Sequence, residues 1–270
     1  MKENLSNVSG TLFVPMAGRI FASHRFLHIV HDEKALMLEK KISTQIDIFK
    51  GQSEYTLVAS AVRSMNMDAA VNSFLKENPS GIIVNLGCGL ETTFYRTDNG
   101  TATWYELDLP EVIELREKYL GKHERDISIP ASVFDEEWGG IVKESENRKN
   151  VLFLASGLLY YFEKPQVITL LKRIASIPNA ILVFDTVNSS GMKRMAGYMR
   201  QLGHEDAAMY FYVDDAKELA NEICDTVTVI EERPYYSRVK NRKGMKFITK
   251  ISMSISDKFN MVKMISLKMN

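Results

Sequence analysis

Apolar positions fall into two periodicities along the chain, and the change between them marks its organisation. From Phe21 to Phe49 the spacing is helical, with Phe26, Leu27, Val30, Ala35, Leu36, Leu38 and Ile42 on the apolar side. Asp32 is placed to cap the second of these segments, its carboxylate taking free N–H groups of the first turn. Residues 1 to about 20 read as irregular. A longer helix is expected from about Glu54 to Lys76, burying Leu57, Val58, Ala61, Met65, Val71, Phe74 and Leu75, and Asn78-Pro79 stops it.

Beyond Pro79 short apolar runs alternate with helical stretches. Strands are expected at 81–86, 101–107, 130–134, 151–155 and 180–185, with a helix over 165–176. Leu152-Phe153-Leu154 and Ile181-Leu182-Val183-Phe184 are continuously apolar, as parallel strands covered on both faces require. This alternation predicts an α/β fold with a doubly wound sheet. Residues 188–225 interrupt it with methionines and aromatics, among them Met192, Met195, Tyr198, Met199, Met209, Tyr210, Phe211 and Tyr212, and read as a helical lid. Val227-Thr228-Val229-Ile230 and a run from Phe247 to Ile255, in which Ile251, Met253 and Ile255 alternate with polar residues, predict a terminal antiparallel hairpin. The expected organisation is one domain over 1–270. Its parts are an N-terminal helical extension (1–78), a cofactor-binding core (79–187), the lid (188–225) and the hairpin (226–270).

The chemistry begins where the first strand ends. Ile82-Ile83-Val84-Asn85-Leu86 runs into Gly87-Cys88-Gly89, and a second strand, Thr101 to Leu107, ends at Asp108. Glycines there let the backbone approach a ligand, and a carboxylate at the tip of the neighbouring strand accepts hydrogen bonds from ribose hydroxyls. A dinucleotide site wants a third glycine where Thr92 stands, and Glu91 would repel a pyrophosphate. An anionic Glu91 could instead face the ammonium group of an amino acid. S-adenosylmethionine has that group, a ribose and no phosphate, whereas a nicotinamide-dependent reductase is disfavoured by Thr92.

Composition narrows the remaining classes. Lys plus Arg and Asp plus Glu are 34 each, a balance that offers no nucleic-acid footprint. No apolar run approaches the roughly 20 residues that cross a bilayer, so no membrane partner is expected. Two isolated cysteines, Cys88 and Cys224, and no signal peptide read as a cytoplasmic protein. His24, His28 and His31 share one expected helix face, but their neighbours are apolar, and no metal site is expected. Ser156-Gly157 lacks the preceding glycine of a nucleophile elbow.

Several ordered motifs give the chain a family resemblance. They are Asp32-Glu33-Lys34-Ala35, Arg63 with Asp68, and Val84 to Arg96 through the glycine turn. Glu106-Leu107-Asp108-Leu109-Pro110-Glu111-Val112 and Ala155-Ser156-Gly157-Leu158-Leu159-Tyr160 complete the set. Over roughly residues 20 to 185 the chain resembles the leucine carboxyl methyltransferase family, and within it the bacterial polyketide O-methyltransferase branch of tetracenomycin type. The resemblance implies a class I methyltransferase, Rossmann-like sheet and S-adenosylmethionine as cofactor. It implies that Arg63 binds the methionyl carboxylate, although spacing alone would make it an exposed helix arginine. It further implies Gly87 at the methionyl backbone with Gly89 in the same cofactor-binding turn, Asp108 on the ribose diol, Ser132 and Val133 at adenine, and Ser156 at the methionyl group. Glu91 stands where the family has aspartate, Ser132 where part of it has an acidic residue, and Ser156 where glutamate is usual. Tyr160 is placed nearest the transfer, with core packing as its alternative role.

The function so read is O-methylation of a carboxylate or phenolic hydroxyl on a small molecule. Loss of the two carboxylates at Ser132 and Ser156 motivates the competing reading, a non-catalytic S-adenosylmethionine-binding regulatory protein of the same fold.

Overall fold

The computed structural model describes residues 10–43, 47–144, 150–194 and 209–269. Five parallel strands carry the centre of the sheet: β1 (Ile82–Leu86), β2 (Thr103–Asp108), β3 (Asp126–Pro130), β4 (Val151–Ala155) and β5 (Ala180–Val187). Two antiparallel strands, β6 (Thr228–Pro234) and β7 (Val262–Lys268), complete the order β3-β2-β1-β4-β5-β7-β6. The chain leaves β1 toward β2 on one side and returns to β4 on the other, so β1 and β4 flank the crevice where ligands bind in open α/β sheets.

Every residue of β1 and β4 is buried, because both faces of the sheet are covered. Ile82, Val84 and Leu86 join one core with Phe153, Leu171 and Ile265, while Ile83, Leu152 and Leu154 join another with Val58, Val62 and Trp104. The helices are α1 (Val14–Arg25), α2 (Glu33–Ser43), α3 (Glu54–Glu77), α4 (Thr93–Thr97), α5 (Pro110–Leu120), α6 (Glu137–Glu144), α7 (Lys164–Ala175), α8 (Ala216–Ile223) and α9 (Phe247–Lys258). Ser53 caps α3 through Thr56 N at 3.1 Å, and Asp32 caps α2 through Ala35 N at 2.9 Å, as its position in sequence implied. Among the described residues, no helix is long and apolar enough to cross a membrane.

Three elements depart from the sequence reading. Val14–Arg25 is a helix, not irregular chain, and its Met16, Ala17 and Ile20 are fully buried. The third strand is Asp126–Pro130, not 130–134. Pro130 supplies no N–H and ends the ladder opposite Asp108, so Val133 and Phe134 pack from a loop. Residues 247–255 belong to helix α9 and not to a strand, so β6 and β7 are an antiparallel pair joined through a helix rather than a hairpin. The buried positions of α9 are Thr249, Met253 and Ser256, which have helical spacing, and the Ile251 that suggested alternation is exposed. Finally, residues 195–208 of the expected lid, with Met195, Tyr198 and Met199, lie outside the described residues. Of its described part, 189–194 are helical and 209–213 carry no regular structure; Phe211 is buried in the core between the exposed Tyr210 and Tyr212.

Candidate functional site

Strand β1 delivers the chain into a turn with Gly87 at φ +61° and Gly89 at φ +50°. Both values lie in the left-handed region that side chains with a Cβ rarely adopt. A Cβ on Gly87 would stand 2.6 Å from Leu158 Cδ1, so the turn also needs glycine for room against the loop after β4. Its other side is fastened to β2. Cys88 N donates to Leu107 O at 3.1 Å, and Gly89 N donates to Asp108 Oδ2 at 2.8 Å. Asp108 Oδ1 accepts Leu109 N at 2.8 Å, and each carboxylate oxygen keeps a second lone pair. Burial raises the Asp108 pKa, opposed by these two N–H groups.

Arg116 of α5 supports the turn from below. Nη1 donates to Glu91 O at 2.5 Å and to Gly89 O at 3.3 Å. Nη2 faces Glu106 at 3.2 Å and Asp126 at 3.7 Å without hydrogen-bond geometry. Burial pushes the Glu106 carboxyl up, against the neighbouring guanidinium.

Glu91 lies in a network of charged partners. Its Oε2 accepts Arg19 Nη1 at 2.7 Å and Ser64 Oγ at 3.2 Å; its Oε1 accepts Arg96 Nη2 and Thr92 N, each at 2.9 Å. Burial alone would raise its pKa, but Arg19 and Arg96 outweigh that and hold it at about 2. Its charge is therefore balanced by two guanidinium groups. Arg19 also donates to Asp32 Oδ2 and to Leu90 O, each at 2.7 Å, and Arg96 pairs with both oxygens of Asp68 at 2.8 Å. The network ties α1, α2 and α3 to the chain just beyond the glycine turn. The sequence reading assigned none of this to Arg19 or Arg96, because partners so distant in sequence leave no periodic trace.

On the β4 side, Arg63 is not an exposed helix arginine. Its Nε donates to Asp185 Oδ2 at 3.0 Å and its Nη2 to the Tyr160 hydroxyl at 2.9 Å. Burial works against its charge, but Asp185 more than compensates and its pKa stands above the ordinary value. Burial pushes the Tyr160 phenol well up, so it stays protonated. Ser156 follows the last residue of β4, and Gly157 N donates to Asp185 Oδ1 at 2.6 Å. Asp185 went unremarked in the sequence; a lone acid closing the apolar run Ile181–Phe184 was the available signal.

Ser132 and Val133 occupy the loop after β3. That loop is fastened to the tip of β2 by Ala131 N donating to Asp108 O at 2.9 Å. Ser132 N donates to Asp135 Oδ2 at 2.8 Å, and Val133 O accepts Trp138 Nε1 at 3.1 Å. The glycine turn thus lies between two groups: Asp108 with the 131–135 loop on one side, and Ser156, Gly157, Tyr160 and Arg63 on the other. A small ligand with a sugar diol at one end and a carboxylate at the other fits this donor set.

The three histidines do not share a helix face. Only His24 lies in α1, where its Nε2 meets Glu39 at 2.8 Å, while His28 Nε2 meets Asn241 O at 2.8 Å and His31 lies 3.5 Å from Glu33.

The family model for leucine carboxyl methyltransferase matches residues 14–175, more than half of the chain. The chain is 24% identical over 221 residues to the tetracenomycin polyketide synthesis O-methyltransferase TcmP of Streptomyces glaucescens, covering 81% of this chain and 80% of that protein. It is 23% identical over 243 residues to the S-adenosyl-L-methionine-dependent methyltransferase dpfgK of Gibberella zeae, covering 82% and 80%. Among solved structures, a DUF574 family protein from Streptomyces avermitilis superposes with a TM-score of 0.58 at 13% identity, covering 93% of this chain and 96% of that one. That likeness shows the fold alone. The matched span contains the glycine turn, Asp108, Arg63 and Tyr160, and the protein belongs to the leucine carboxyl methyltransferase family and is an S-adenosylmethionine-dependent methyltransferase.

Proposed function

We propose that this protein transfers the cofactor's methyl group to a carboxylate or phenolic oxygen of a small molecule. The observation that carries the reading is the left-handed glycine turn flanked by the Asp108 carboxylate on one side and the Arg63 guanidinium on the other. Similarity to a polyketide O-methyltransferase supports oxygen as the acceptor atom and a small molecule as its carrier.

When bound, the cofactor supplies a methyl group on a sulfonium, an activated leaving group, so attack by oxygen needs positioning and desolvation more than a strong base. In this reading Asp108 accepts the ribose hydroxyls through its free lone pairs, and Arg63 holds the methionyl carboxylate. Gly87 and Gly89 permit close backbone approach. Ser132 and Val133 border the adenine, and Ser156 lies beside the methionyl group. Glu91 acts through the turn it braces rather than by ligand contact. Tyr160, held protonated by burial and oriented by Arg63, offers a hydrogen bond near the acceptor rather than a base.

The four parts form one domain in this account, and a cytoplasmic location suits the two free cysteines, Cys88 and Cys224. Exposed Tyr210 and Tyr212 favour an aromatic acceptor, because Tyr210 N donates to Tyr160 O at 2.7 Å and brings that segment to the site. Membership of an enzyme family weighs against a purely regulatory binder. The test is release of S-adenosylhomocysteine from S-adenosylmethionine over a panel of phenols and aromatic acids. Acceptor-dependent release is expected; cofactor binding with no release across the panel would favour the regulatory reading.

A further inference from the structure

Asp185 is buried, with its side chain 2% exposed, on the strand that extends past the end of β4. The β4–β5 ladder stops at Ala155 opposite Phe184, so Asp185 stands beside the point where the chain turns away as Ser156-Gly157. Its two oxygens are divided between two walls of the site. Oδ2 accepts Arg63 Nε from α3 at 3.0 Å, and Oδ1 accepts Gly157 N from the loop after β4 at 2.6 Å. Those walls also touch each other. Gly157 has φ +69°, and a Cβ there would stand 2.6 Å from Arg63 Nη1 and 3.1 Å from the Tyr160 hydroxyl.

A carboxylate engaged at Nε fixes the plane of a guanidinium, because the group is rigid and its N–H bonds point in set directions. Tyr160 takes a hydrogen bond from Nη2, and the buried Tyr235 phenol is a further hydrogen-bonding neighbour of the guanidinium. The charge on Asp185 also favours retaining the part-buried guanidinium beside that loop. We propose that Asp185 is a positioning residue for cofactor recognition: it aims the Arg63 guanidinium and the Ser156-Gly157 loop together at the carboxylate of the methionyl group. This rests on the reading of Arg63 as the carboxylate receptor.

The effect should be selective for one end of the ligand. S-adenosylmethionine carries the carboxylate, decarboxylated S-adenosylmethionine lacks it, and adenosine lacks the whole methionyl arm. Calorimetric titration of the full chain with all three separates aiming from general damage. Asp185→Asn keeps the shape and loses the charge. It should weaken S-adenosylmethionine at least tenfold while leaving the decarboxylated analogue and adenosine within about twofold, given that tenfold corresponds to about 1.4 kcal/mol. Asp185→Glu restores the charge one methylene further out and should recover part of the discrimination. It also serves as the variant to read if the asparagine form does not fold.

Arg63→Ala should abolish the same discrimination. If Arg63→Ala loses it and the Asp185 variants keep it, the role of Asp185 is overturned and the receptor stands. If Arg63→Ala also keeps it, the reading of Arg63 itself falls. Equal weakening of all three ligands by the Asp185 variants makes the residue a structural brace only, and overturns the proposal.

Discussion

Replacing Arg19 by alanine is expected to destabilise the protein by about 3–5 kcal/mol, the range for removing one partner of a buried ion pair. Arg19 and Asp32 have fully buried side chains, and Arg19 reaches Asp32, Glu91 and Leu90 O at once. Its loss leaves Asp32 and Glu91 to share Arg96 with Asp68. For a chain of this size the midpoint of thermal unfolding should fall on the order of 10 °C. The pH dependence has a definite sign. Glu91 has a folded pKa of about 2, below its unfolded value, so its stabilising contribution is present above about pH 4.5 and lost as pH falls toward 2. The gap between native protein and variant should therefore narrow through that window. A loss below about 1 kcal/mol near neutral pH would mean that Arg96 suffices.

Asp108→Ala is expected to weaken S-adenosylmethionine by about 2–4 kcal/mol, the scale of charge-assisted hydrogen bonds lost from a ligand diol together with a loosened turn. Adenosine should weaken with it, because it carries the same diol, and methionine should not. Calorimetry on the three ligands reads this directly. Asp108→Asn keeps an acceptor and should fall between the two. A variant that lost methionine and retained adenosine would reverse the assignment of the two ends of the site.

The glycine turn and Asp108 were legible in sequence because their chemistry is local. A strand ending in Gly-x-Gly needs left-handed backbone, and Gly87 and Gly89 have it. The long helix α3 and the continuous apolar strands β4 and β5 were legible because burial on regular spacing leaves a clear period. Helix α9 was not, because its buried face includes Thr249 and Ser256 while Phe247, Ile248 and Ile251 face outward, inverting the usual correspondence of apolarity with burial. The third strand was displaced for a related reason, as Val133 and Phe134 bury apolar surface from a loop.

Within the site, the guanidinium partners of Glu91 were not legible, because a carboxylate's partner depends on what folds against it. Arg19 lies 72 residues from Glu91, and Asp185 lies 122 residues from Arg63. Neither pairing has any signature in a single chain. Arg63 enters the candidate site through resemblance, and in the structure an acid and a phenol orient its guanidinium.

The turn between Asp108 and Arg63 is expected to hold S-adenosylmethionine. Titration of the full chain with that compound tests it most directly. A saturable heat with a micromolar-scale dissociation constant, about −8 kcal/mol, is expected. The absence of both heat and thermal shift at millimolar ligand would contradict it.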